Sequence, residues 1–247
     1  MKAWLIVAMV SFSVVGRAQQ SYFNTPSSEQ TKKGDFFVQE QLNLSRFSYV
    51  SNLTCVWGLP RDFEIGFNLF GFTYDPTRKN FVQQHDPSLG ALFPSLLLNG
   101  QKFKHWNEHW LTTLAFQAGF DIDKTIAWHG QMWYVFSNTQ FKNEHLTVTG
   151  GLFLGNQQLF GKGYLWNIDP TGVPVGFQFG FEYRTPIKNL SIICDRISGT
   201  DQMGVSVLGL GYRVLDNWIY SIGYQHPNSG SGNPTGIVME FTRSLKE

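Results

Sequence analysis

The chain has 247 residues, of which 15% are charged and 16% aromatic, with 25 glycines. Few charges and many aromatics exclude intrinsic disorder, which needs the opposite balance. The net charge is +1 (19 basic against 18 acidic residues), and loss of a leader holding Lys2 and Arg17 makes it 17 − 18, near −1, so no electrostatic case exists for nucleic acid as a partner.

Residues 1–18, MKAWLIVAMVSFSVVGRA, carry a basic start at Lys2, an apolar stretch from Trp4 to Val15 broken only by Ser11 and Ser13, and the small-residue end Gly16-Arg17-Ala18. This is the pattern of a secretory signal peptide, with the mature chain starting near Gln19. Beyond it no apolar run approaches the ~20 residues of a membrane helix. A polar leader, 19–34, follows without periodicity, and the domain proper is expected over 35–247.

From there the chain alternates. In 173–184, Val173, Val175, Phe177, Phe179, Phe181 and Tyr183 fall on one face, and Gly176, Gln178, Gly180, Glu182 and Arg184 on the other. A strict period of two marks a strand with one apolar and one polar side. Twelve such runs are expected, near 35–44, 47–57, 62–74, 91–103, 109–121, 126–138, 144–155, 173–184, 189–197, 203–213, 217–226 and 235–243. Most have the ~9–13 residues that a tilted strand needs to cross a bilayer, longer than the ~5–6 usual in soluble folds. In the first run Glu40 shares the face of Phe36, Val38, Leu42 and Leu44, which predicts a bulge there, because a carboxylate facing lipid is costly. The run 91–103 is irregular, holding Pro94 and Leu96, Leu97 and Leu98.

Connections after the second, eighth and tenth runs are tight, as in Gly58-Leu59-Pro60-Arg61. Those after the third, seventh and eleventh, 75–90, 156–172 and 226–234, are long or glycine-rich. Short turns at one end and long loops at the other fit an outer-membrane barrel with both termini in the periplasm. The apolar face is unusually aromatic, with Trp57, Trp110, Trp128, Tyr134, Tyr183, Tyr212, Trp218 and Tyr224 near expected strand ends, as suits a membrane interface. The opposite face is rich in Gly, Ser, Thr, Asn and Gln, as a wet lumen requires. The fold expected is therefore a transmembrane antiparallel up-and-down β-barrel of about twelve strands, with ten or fourteen open. The alternative is a secreted β-sandwich or lectin-like fold.

The segment Gly58-Leu59-Pro60-Arg61-Asp62-Phe63-Glu64-Ile65-Gly66 resembles the periplasmic turns of small Gram-negative outer-membrane β-barrel proteins of porin-like type. So does the stretch from Gly209-Leu210-Gly211-Tyr212 through Asn217-Trp218 to Gly223-Tyr224-Gln225-His226-Pro227-Asn228. The resemblance implies residence in the cell outer membrane, with membrane lipid as the surroundings and small polar solutes as cargo. One departure is the tail: such barrels often end on an aromatic, whereas Phe241 is followed here by 242–247.

No residue set points to catalysis, a cofactor or a metal. His105 and His109 bracket Glu108 in what reads as a wet turn, where strand geometry separates them by up to ~13 Å. His129 is expected on the lumen wall beside Gln131, with Trp133 and Ser137 further along. Cys55 and Cys194 fall on apolar faces of distant strands, and two cysteines are too few for a disulfide framework. The informative set is the lumen face: Glu64, Asn68, Gln117, Asp121, His129, Gln131, Gln178, Glu182, Arg184, Asp195, Arg213 and Glu240. An eight-strand barrel is filled by side chains and a sixteen-strand one is open, so twelve strands lie between. The expected function is passive passage of small polar solutes; the rivals are a structural or adhesive barrel and, behind it, an envelope enzyme. An open lumen with this acid bias predicts weak cation preference, reduced by Glu64→Gln or Glu182→Gln without harm to folding, because the groups are expected to face water.

Overall fold

The structure is a computed structural model that describes residues 22–27, 29–82, 94–122, 132–160, 173–200, 203–215, 218–231 and 233–243. The expected signal peptide lies outside the described residues, as do Trp128, His129 and Gln131.

The strands are β1 (Phe36–Ser45), β2 (Tyr49–Leu59), β3 (Phe63–Asp75), β4 (Asn80–Val82), β5 (Ser95–His105), β6 (Trp110–Asp121), β7 (Met132–Lys142), β8 (Leu146–Gly155), β9 (Val175–Arg184), β10 (Leu190–Ile197), β11 (Val205–Leu215), β12 (Trp218–Pro227) and β13 (Gly236–Arg243). A single helical turn, α1 (Gln157–Phe160), follows β8. All pairings are antiparallel between neighbours, and the ring closes through β1 on β13, with Gln39 opposite Thr242 and Ser45 opposite Gly236. The short β4 extends one loop on β3, leaving twelve strands in a closed antiparallel barrel.

Strand positions agree with the periodicity to within a few residues, apart from the run expected at 126–138, which appears as β7, Met132–Lys142. Pro94 ends up just before β5, where a missing N–H disturbs no ladder. One rim carries tight turns. Pro60, Arg61 and Asp62 join β2 to β3, with Arg61 and Asp62 at φ 63° and 57°. The other rim carries the longer connections, with one exception: residues 46–48 join β1 to β2 tightly. We refer to the two ends as the turn rim and the loop rim.

The outer surface is apolar. Ile65, Leu98, Leu114, Phe116, Leu152, Leu208 and Ile222 are all exposed. Trp57, Trp110, Tyr183 and Tyr212 stand toward the turn rim, and Tyr49 and Tyr224 toward the loop rim. Cross-strand aromatic pairs lock the register on this face: Phe36 meets Trp57 edge-on at 5.8 Å, and Tyr220 meets Phe241 at 5.1 Å and 90°.

The bulge expected in β1 is absent; β1 pairs without a break on both sides. Glu40 stays on the outward face and accepts the Ser51 hydroxyl at 2.5 Å, which meets part of its hydrogen-bonding need. A bulge lies instead on β3, where Phe70 and Gly71 oppose the single residue Asn52. Gly71 takes φ 81°, which an L side chain rarely adopts, and its N–H is held by Asn52 Oδ1 at 2.9 Å. The extra residue inverts the strand's phase, so that Asn68 and Phe70 face inward before it, and Thr73 and Asp75 after it.

Candidate functional site

The interior is not an empty polar tube. Residues 22–27 and 29–34, expected only as part of an aperiodic leader, run inside the ring from mid-barrel to the turn rim. Tyr22 and Phe23 are 3% and 1% exposed, and Thr25 and Thr31 are fully buried. Phe23 packs with Ile193, Val207 and Val238 from β10, β11 and β13. Tyr22 Oη pairs with Thr149 Oγ1 on β8 at 2.9 Å, and burial raises its phenol above the usual range, so it stays neutral.

The wall is shaped to receive this segment. A Cβ on Gly180 would overlap the Tyr22 ring, and one on Gly223 would sit 2.8 Å from Phe23 Cζ. In an inward strand position such a glycine reads from sequence as lining; its use is to make room for an aromatic ring.

The acidic residues grip the segment's backbone. Asp195 Oδ2 accepts the N–H of Asn24 and, at 2.6 Å, that of Thr25. Glu64 accepts the Thr31 N–H and, at 3.0 Å, Gln101 Nε2. A carboxylate accepting backbone N–H groups away from water makes a charge-assisted bond, about twice as strong as a neutral one. Near the turn rim Lys142 Nζ donates to Glu29 Oε1 at 2.8 Å, and Glu182 lines a small void with Tyr22 and Glu29. Glu240 accepts Gln39 Nε2 at 2.8 Å across the β13–β1 seam.

The expectation that these acids face water is therefore corrected. Glu64 and Asp195 are fully buried, Glu240 is 2% exposed and Glu182 9%. Arg184 and Arg213, inward in phase, are half-buried near the turn rim. Gln178 is buried, accepting the Tyr134 hydroxyl at 2.5 Å and donating to Asn138 Oδ1 at 2.7 Å. Asn138 Nδ2 in turn donates to Pro26 O at 3.0 Å, so a hydrogen-bonded chain runs from Tyr134 to the plug. Asn68 and Gln117 bond each other at 3.1 Å. Asp121 ends β6 opposite Ser95.

A second correction concerns β7. The sequence places Trp133 and Ser137 inside and Tyr134 at the membrane interface, whereas Met132, Tyr134, Phe136, Asn138 and Gln140 are buried inward and Ser137 is exposed. The reason is α1, whose Leu159 and Phe160 fold into the ring and demand an apolar wall. Phe160 stacks on Phe153 at 5.0 Å, and both rings meet Tyr134. The loop-rim half of the interior thus holds an apolar cluster of Leu97, Ala115, Met132, Tyr134, Phe136, Phe153, Leu159, Phe160 and Ile197.

Between that cluster, the strand amides and the plug lies a cavity of about 640 Å³, floored by Phe23, Asn24 and Pro26 and lined up to Asp75 and Arg78 on the loop side. His105 and His109 lie elsewhere. His105 bonds Gln30 Oε1 at 3.1 Å, and His109 Nδ1 meets Lys142 O at 3.0 Å, both at the exposed turn rim. Cys55 and Cys194 are free thiols on β2 and β10.

Solved porins share this architecture. The KdgM porin superposes with a TM-score of 0.58 at 8% identity, covering 85% of this chain and 99% of that one. The KdgM porin in complex with disordered oligogalacturonate gives 0.55 at 9% identity, covering 85% and 99%. The NanC porin gives 0.54 at 7% identity, covering 86% and 100%. The fold is that of these porins. No protein-family model matches the sequence, and no curated protein matches it either.

Proposed function

We propose that this chain is an outer-membrane, porin-like channel for small polar solutes, rather than an enzyme, and that residues 22–35 are its internal plug. The observation that carries the reading is the closed twelve-strand ring with an apolar, aromatic outer face and an internal cavity lined by amide and apolar side chains. An outward band of apolar side chains suits lipid, and a closed ring satisfies every strand edge. The long loops then face outside the cell, the turns and the plug face the periplasm, and 1–18 serves as the export signal. Passage requires the plug to shift, because it floors the cavity and fills the turn-rim half.

The plug also gives weight to a rival: a structural barrel whose interior is simply filled. Planar-bilayer recordings of the refolded protein, intact and lacking residues 22–33, separate the two. A channel gives rare openings when intact and steady conductance when the segment is removed. Absence of conductance from both would establish the structural barrel.

A further inference from the structure

We propose that the loop-rim cavity binds an uncharged, polyhydroxylated solute, in chemical class a neutral saccharide. The inference rests on the passage reading above and adds the substrate class to it.

Charge is the first argument. Among the described residues lining the cavity, the charged side chains are Asp75 and Arg78, and they pair with each other at 3.6 Å. Glu64, Glu182, Asp195 and Glu240 do not line it: Glu64 and Asp195 are turned to the plug, Glu240 to the seam, and Glu182 to a separate small void beside Tyr22 and Glu29. Among the described lining residues, an anionic solute finds no unmatched cation and a cationic one no unmatched carboxylate.

The polar lining is instead made of amides. Asn99 Nδ2 donates to Asn68 Oδ1 at 3.1 Å, and Asn68 Nδ2 donates to Gln117 Oε1 at 3.1 Å, a chain that runs across β5, β3 and β6. On β1, Gln41 bridges Asn43 Oδ1 at 3.2 Å and Asn24 Oδ1 of the plug at 3.1 Å. Each amide is donor and acceptor at once, as is a hydroxyl, whereas a carboxylate only accepts and an ammonium only donates. A wall of linked amides is matched to a ligand whose polar groups are all hydroxyls.

Aromatic surface is the third element. Phe70, Tyr134, Phe136 and Phe160 border the same cavity. Tyr134, Phe136 and Phe160 are buried in the apolar cluster and Phe70 is half-buried, so the C–H face of a sugar ring can lie on Phe70 while its hydroxyls reach the amides. A volume of about 640 Å³ falls within the ~300–1,000 Å³ of small-molecule sites.

The test is calorimetric titration of the full-length protein in detergent with sucrose and maltotriose as neutral probes, trigalacturonate as an acidic probe and glucosamine as a cationic one. The neutral probes should bind and the charged ones should bind at least tenfold more weakly. Asn68→Leu with Gln117→Leu should weaken neutral binding about tenfold, as expected for two lost hydrogen bonds. Should that double variant fail to fold, Gln117→Glu alone should weaken sucrose and strengthen glucosamine. Tighter binding of trigalacturonate or glucosamine to the unmodified protein, or no binding of either neutral probe, overturns the proposal. Binding is read without a membrane, so loss of conductance with intact binding removes only the passage reading, and conductance without neutral-sugar binding removes only the site.

Discussion

Phe23→Ala should release the plug while leaving the barrel intact. The Phe23 side chain is 1% exposed and lies between backbone glycines and the side chains of Ile193, Val207 and Val238. Truncating a buried Phe to Ala costs about 3–5 kcal/mol when the site cannot collapse. Here the walls are hydrogen-bonded strands, so the cavity left behind persists. At about 1.4 kcal/mol per factor of ten, the docked state loses roughly two to three and a half orders of magnitude relative to the undocked one. The reporters are the amides of Asn24, Thr25 and Thr31, held by Asp195 and Glu64. Their hydrogen-exchange protection should fall by that factor while strand amides of β10–β13 keep theirs. In bilayers the variant should open far more often than the unmodified protein. Unchanged protection at Asn24 and Thr25, in a barrel that still migrates faster on gels when unboiled, would refute the argument, because the segment would then be held by something other than this packing.

Other outcomes follow from the same contacts. Gly180→Ala should displace Tyr22 and destabilise the full-length protein, but should leave the melting temperature of a form lacking residues 22–33 nearly unchanged, since the three atoms nearest to the added Cβ all belong to Tyr22. Glu64→Gln and Asp195→Asn should each weaken plug docking by about 1–2 kcal/mol through loss of a charge-assisted acceptor, read by exchange of Thr31 and Thr25 respectively. Salt-gradient reversal potentials should show little selectivity in the intact protein and cation preference after deletion of 22–33, which exposes the buried acids; Glu64→Gln should reduce that preference only in the deleted form. Trypsin added to whole cells should cut at Arg78 or Lys79 in the exposed β3–β4 turn, and cleavage at Arg61 or Lys188 instead would invert the proposed orientation.

The ring was legible because most strands separate their faces by chemistry. In β9, Phe177, Phe179 and Phe181 point out while Gln178, Gly180 and Glu182 point in, and no competing helix pattern exists. Strand β7 defeated the same logic. Period two announces two faces without saying which is inside, and Met132, Tyr134 and Phe136 are inward because α1 makes that sector apolar. The bulge was expected at Glu40 because its carboxylate looked like the misfit, whereas Ser51 partly satisfies it and the phase slip is at Gly71, within a run of aromatics. The plug left no periodic trace. Its docking is written in single contacts, such as Tyr22 on Gly180, spread over more than 150 positions of chain (180 − 22). The wall acids were placed on the correct strands, but their partners were invisible, so burial was mistaken for hydration.

The plug precedes β1, and β1 is one lip of the seam that closes the ring. Its grip on β10, β11 and β13 therefore moors one edge of the open sheet to the region of the other before the ladder between them exists. The side-chain bond between Gln39 and Glu240 spans 201 positions. Once Thr25 is held by Asp195, Gln39 is only 14 residues away along the chain (39 − 25). With the stretch from Asp195 to Glu240 (240 − 195 = 45) the loop still to be closed is 59 rather than 201 residues, and with loop-closure cost growing as (3/2)RT ln n the tether lowers the entropic cost of joining the two lips by roughly 1 kcal/mol. The segment that fills the finished barrel is thus also the drawstring of its assembly, and a barrel made without it must find its own ends across almost the whole chain.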